Sequence, residues 1–175
     1  MDITPLKQKY YHGCLVTCFL MISKMTDQSI EQRIFFEGEK RKLDNYVSNM
    51  LFSFVDNTKL SLEVFVDNKY FAESLSKELK RQQKSIIIVQ QKITAALIDK
   101  MLEKGEVILH IDDNYLGDYS HASHFIVIER KVGDKYSVID PISGTRKTIS
   151  QPKLEASILS LKAHIKMCPL LIRKI

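Results

Sequence analysis

The sequence predicts an α+β fold on three observations: helical spacing of apolar residues through the first third, β-like runs alternating with short helices through the rest, and two late strands joined by a glycine turn. Leu15, Phe19 and Ile22 share one helix face, and Leu43, Val47, Met50, Leu51 and Phe54 repeat the pattern, with a further helix over residues 29–39 between them. A β-like run at 60–66 (LSLEVFV) precedes an amphipathic segment over 70–81 and a strand at 85–89 (SIIIV). A helix over 94–102, stopped by Gly105, leads to a strand at 107–111. After a polar loop come strands at 124–130 (HFIVIER) and 135–140 (KYSVID), with Gly133 supplying the positive φ of the turn between them. Strands at 145–149 and 165–172, separated by a helix over 151–161, complete the order. The N-terminal helices are therefore expected to pack on a C-terminal antiparallel sheet.

The 175 residues, 45% of them hydrophobic, suffice for one domain spanning 1–175, and no repeat or Pro/Gly/Ser-rich linker divides them. Three cysteines, Cys14, Cys18 and Cys168, are too few and too odd for a disulfide framework, so free thiols and a cytoplasmic location are expected. The start carries no secretory pattern. The longest apolar stretch, residues 14–22, is about half of the ~20 residues needed to cross a bilayer, so no membrane helix is expected. A net charge of +5 comes from 26 basic and 21 acidic residues spread along the chain. The densest basic run, residues 77–84 (KELKRQQK), has no aromatic residues to stack on bases and reads as a solvated helix face, not a nucleic-acid site. No cofactor is expected.

Cys14 follows Gly13 and opens the most apolar helix, where unpaired backbone N–H groups and the helix dipole favour a thiolate. Free cysteine is also among the most buried residue types, so Cys14 by itself fits core packing too, as do Cys18 and Cys168. His12, Cys14 and Cys18 could together suggest zinc, but no fourth ligand has recognisable spacing, and no metal site is expected.

His124 begins one strand of the late hairpin and Asp140 ends the other, so a turn centred near Val132 sets them opposite each other. Directly opposed side chains lie within ~5.5 Å at Cβ, close enough for a carboxylate to accept the second imidazole N–H. Such a bond fixes the tautomer and stabilises imidazolium. Asp140 is also a natural turn residue, since Pro141 and Gly144 follow it. His12, His110, His121 and His164 are competing histidines, none with the hairpin geometry, and His121 and His124 share no face for a metal pair.

Residues 8–22 (QKYYHGCLVTCFLMI) together with residues 124–144 (HFIVIERKVGDKYSVIDPISG) resemble the double-glycine leader peptidases of bacteriocin exporters and their stand-alone peptidase-like relatives. The resemblance implies a papain-like fold and cysteine peptidase chemistry, with Cys14 as nucleophile, His124 as general base and Asp140 orienting it. It also implies that Gln8 donates its side-chain amide to an oxyanion hole beside the Cys14 N–H, where one donor typically supplies about 3 kcal/mol. The chain departs from the family pattern in carrying Gly13-Cys14-Leu15 where members have Asp-Cys-Gly, and Leu15 is expected to leave less room beside the sulfur.

The expected activity is hydrolysis of a peptide or related amide through a thioester on Cys14. The same machinery serves an acyltransferase if an amine replaces water, and a degenerate site would leave a non-catalytic peptide-binding module. The loop at 112–123 (DDNYLGDYSHAS) is expected to line one wall of the groove, with Tyr115 and Tyr119 as contacts.

Overall fold

Strands that read as unbroken apolar runs are those buried on both faces of a sheet. A computed structural model describes residues 3–82, 85–117 and 120–175. Among them are six α-helices and one mixed sheet of seven strands. The strands are β1 (Leu62–Val66), β2 (Ile86–Gln90), β3 (Val107–Asp112), β4 (Ser123–Val132), β5 (Lys135–Asp140), β6 (Thr145–Ser150) and β7 (Leu170–Lys174), in the order β2-β1-β7-β3-β4-β5-β6. The helices are α1 (Cys14–Ile22), α2 (Gln28–Lys40), α3 (Tyr46–Thr58), α4 (Lys69–Gln82), α5 (Ala95–Leu102) and α6 (Gln151–Ala163).

Alternation sorts the strand side chains into two cores. Val64, Ile172, Ile108, Phe125, Val127 and Ile139 pack with α1–α4. Phe65, Leu171, Leu109, Ile126, Ile128 and Val138 pack with α5 and α6. Both faces of the sheet are thus covered, the helices expected at 94–102 and 151–161 forming the layer opposite the N-terminal ones. Each fully buried Leu, Ile or Phe contributes about 1.5–3 kcal/mol, which is why these positions tolerate no polar residue without a partner. Helix α1 is buried from Leu15 to Ile22, with Phe19 stacked on Phe54 of α3 at 4.5 Å between ring centroids.

The sheet is not purely antiparallel as expected. β1 and β2 pair in parallel, Val64 facing Ile88. Parallel neighbours need a crossover, and the amphipathic helix α4 supplies it. The last strand begins at Leu170 instead of residue 165, because Lys166 takes a positive φ of 61° and Pro169 has no N–H for a ladder. In the β4–β5 hairpin the two-residue turn Gly133–Asp134 follows Val132, with Gly133 at φ 62°, as expected. The register differs: Val127 faces Ile139, and a bulge between Ile128 and Arg130 shifts the ladder. Asp140 thereby sits diagonal to His124, not directly opposite.

The segment before α1 is tied to the far end of this hairpin, the Gln8 N–H donating to the Pro141 carbonyl at 2.8 Å. Gly144 closes the turn at φ 68°, and a Cβ there would lie 2.8 Å from the Lys7 Cβ and 3.1 Å from its Cα. Gly144→Ala is expected to cost about 1–3 kcal/mol through overpacking against backbone and a left-handed φ. Urea denaturation measures this, and a midpoint equal to the wild type would contradict it.

Candidate active site

The turn leading into α1 is held from several directions. The Gly13 N–H donates to the Tyr10 carbonyl at 2.9 Å, and a Cβ on Gly13 would come within 3.0 Å of that oxygen, so glycine lets the turn close. The Tyr46 hydroxyl, from the first turn of α3, donates to the His12 carbonyl. Cys14 emerges half-buried at the first helical position, where the N–H groups of the first turn have no intrahelical acceptor.

Cys14 lines a cleft of about 1200 Å³ together with His124, Gln8, Tyr46, His110 and Ser123. His124 is 2% exposed and Asp140 fully buried, and their side chains meet at 3.0 Å between Nε2 and Oδ1. With Nε2 committed to the carboxylate, Nδ1 is the ring atom left for the thiol. Burial works against charge on the ring, but hydrogen bonding with Asp140 and with Cys14 overcomes it, and His124 is pushed up to about 9. The three side chains therefore interact in series, Cys14 to His124 to Asp140.

Asp140 has further partners. Its Oδ1 accepts the Ile142 N–H at 2.9 Å, closing the turn that Pro141 begins. Its Oδ2 accepts from Lys147 Nζ at 2.8 Å and from the Ser143 hydroxyl at 3.1 Å. Burial favours the neutral acid, yet the hydrogen bonds from His124 and Lys147 hold the carboxyl well below the usual carboxylate range. Sequence reasoning missed Lys147. The signal was available in alternation, since Lys147 on β6 pairs with Val138 of β5 and shares the side of Asp140.

Gln8 lies in the cleft wall, but its Nε2 donates to the carbonyls of Tyr10 and Tyr11, each at 3.1 Å, and its buried Oε1 has no partner among the described residues. Both amide hydrogens are thus engaged by peptide carbonyls. Leu15 does not crowd the sulfur as expected: it is fully buried in the core between α1 and the sheet and forms no part of the cleft wall.

Cys18 packs one turn below Cys14, its S–H directed at the Phe125 carbonyl at 3.4 Å, and burial pushes its thiol well up. Cys168 is not in a strand; it precedes β7, lines the cleft and accepts the Asn68 N–H at 3.3 Å, with burial again raising the thiol. His110 stacks on Phe125 at 4.2 Å, and burial drives it down to about 4. His121 pairs with Asp112 at 2.6 Å, and His164 lies beside it at 5.6 Å. His12 lines the cleft beside Cys14. Of the loop at 112–123, Asp113, Ser120, Ala122 and Ser123 line the cleft. Tyr115 instead packs against the core under α5 and α6, because the turn Asp113–Leu116 directs it there, and Tyr119 lies outside the described residues. Among the described residues no cluster of His, Cys, Asp and Glu could hold a metal ion, and no helix is long and apolar enough to cross a membrane.

No protein-family model and no curated protein matches this chain.

The two shifts make stability depend on pH in opposite senses. A histidine raised from ~6.5 contributes stability that is complete below ~6.5 and is lost as pH rises through about 9. A depressed aspartate contributes stability present above ~4 and lost as pH falls. Asp140→Asn removes the acid-side dependence and weakens the alkaline one. Denaturation at about pH 3, 7 and 10 should show a flatter profile for this variant, and a profile parallel to the wild type would contradict the assignment.

Proposed function

We propose that this chain is a papain-like cysteine hydrolase acting on a peptide or related amide, with Cys14 as nucleophile, His124 as proton carrier and Asp140 as the residue that orients His124. The observation that carries this reading is the buried His124–Asp140 hydrogen bond at 3.0 Å, with His124 and the half-buried Cys14 sulfur opening on one large cleft. A helix opening on the cysteine and packed against a sheet that carries the histidine and the acid also supports it, as does the resemblance of residues 8–22 and 124–144 to the leader peptidases.

In this reading His124 takes the Cys14 thiol proton as the sulfur attacks the substrate carbonyl, then gives that proton to the departing amine as the C–N bond breaks, leaving a thioester and neutral His124. Neutral His124 then takes a proton from water, which attacks the thioester and releases the acid. Asp140 stabilises the imidazolium at each stage and keeps Nδ1 facing the sulfur. The Cys14 N–H at the helix start can donate to the oxyanion. Gln8 joins it by exchanging one of its tyrosine carbonyls for the substrate oxygen.

The engaged Gln8 amide favours a second reading, a peptide-binding module that keeps the cleft without turning over. Alkylation separates the two. With iodoacetamide near pH 7, Cys14 should react at least about tenfold faster than Cys18 or Cys168, and His124→Ala should slow it by about a hundredfold, the scale of a lost proton-transfer partner. Peptide mapping by mass spectrometry reads each rate. Equal rates at the three thiols, unchanged by His124→Ala, would leave the binding module as the function.

A further inference from the structure

Next to His124 the cleft carries a polar pair that the hydrolytic reading leaves unused. His110 and Ser123 stand on the neighbouring strands β3 and β4, and His110 is 4% exposed. Its Nδ1 lies 3.0 Å from the Cys168 carbonyl oxygen, and its Nε2 lies 2.7 Å from the Ser123 hydroxyl. A carbonyl can only accept, so Nδ1 carries the ring hydrogen. Burial against Phe125 keeps the ring neutral, so Nε2 has a lone pair and the Ser123 hydroxyl must donate to it. Ser123 is thereby fixed as an acceptor toward the cleft, its one hydrogen being spent.

Asp113 adds a second acceptor on the same side. It is 6% exposed, lines the cleft, and its Oδ1 accepts the Ala122 N–H at 3.0 Å. It lies close enough to His124 for their charges to interact. Of the lysines in the cleft wall, Lys162 is paired with Asp67 at 2.6 Å and Lys166 sits exposed at the rim. A wall that offers a carboxylate and an obligate hydroxyl acceptor selects a ligand rich in N–H and carrying positive charge.

We infer that the part of the cleft bearing Ser123 and Asp113 is a subsite for the amine partner of the reaction, the nitrogen that leaves in hydrolysis or attacks in acyl transfer. The inference rests on Cys14 and His124 performing the chemistry. In the acyl-transfer case a free amine attacks the thioester carbonyl, the C–S bond breaks as the C–N bond forms, and one amine hydrogen passes through His124 to the departing thiolate. The products are an amide and free Cys14, with no co-reactant.

Binding of n-butylamine and of n-butyrate to the ¹⁵N-labelled full chain, followed by NMR, tests the subsite without needing turnover. The amine should bind saturably with shifts at Ala122, Ser123 and Asp113, and n-butyrate should not. Asp113→Asn and Ser123→Ala should each weaken amine binding by about tenfold, the scale of one charge-assisted hydrogen bond. Butyrate binding as well as butylamine, or affinity unchanged in both variants, would overturn the inference. So would ¹⁵N ring shifts showing the His110 hydrogen on Nε2. A separate arm acetylates Cys14 with p-nitrophenyl acetate and adds n-butylamine. N-butylacetamide formed saturably identifies the attacking amine, and binding without that product identifies the leaving one. Failure to acetylate Cys14 would instead sink the hydrolytic reading, and with it the role given to the amine.

Discussion

Asp140 has no exposure to solvent, and a carboxylate taken out of water must find charge and hydrogen bonds in the protein or become neutral. It finds His124 on β4, Lys147 on β6, and the Ile142 N–H and Ser143 hydroxyl in the turn it opens. Those partners belong to β4 and β6, on either side of β5, and to the turn from β5 into β6, so satisfying one buried charge fixes the end of the hairpin, the path of the next strand and the ring plane of His124 together. Removing any one partner leaves the others facing an undercompensated charge, which is why the arrangement acts as a unit.

The thiol is brought to that unit by packing. Helix α1 is buried along nearly its whole length between the sheet and α2–α3, so its start cannot shift without repacking the core. The turn before it is clamped by Tyr10, by the Tyr46 hydroxyl and by the bond from Gln8 to Pro141, the residue after Asp140. Nucleophile and acid are thus tied through the N-terminal segment as well as through His124. Precision at the sulfur comes from a dry core behind it and polar bonds around it.

Much of this was legible in the sequence because the relevant signals are local. The helical spacing behind Cys14, the glycine turn at Gly133 and the strand positions of His124 and Asp140 each depend on a few adjacent residues. What was not legible depends on partners distant in sequence. The turn centres on Gly133–Asp134 and not on Val132, and the bulge between Ile128 and Arg130 shifts the ladder again; neither leaves a mark in alternation read from one strand, and together they change a direct pairing into a diagonal one. The parallel β1–β2 pair and the second layer, α5 and α6, follow from where strands insert into the sheet, which periodicity does not encode. Leu15 was expected beside the sulfur because it is next in sequence, yet one residue along a helix turns by roughly 100°, and the side chain points into the core. Gln8 was assigned by resemblance alone, and the carbonyls that engage its amide belong to a turn whose conformation the sequence does not specify.

The account depends most on Cys14 and His124 being one coupled pair, since every chemical step passes between them. NMR titration of the His124 ring in the wild type and in Cys14→Ala tests this directly. The wild-type ring should titrate near 9, and loss of the thiol should lower that value while Asp140 still holds the ring. A ring that titrates near ~6.5, or at the same pH in both proteins, would contradict the coupling and the function built on it.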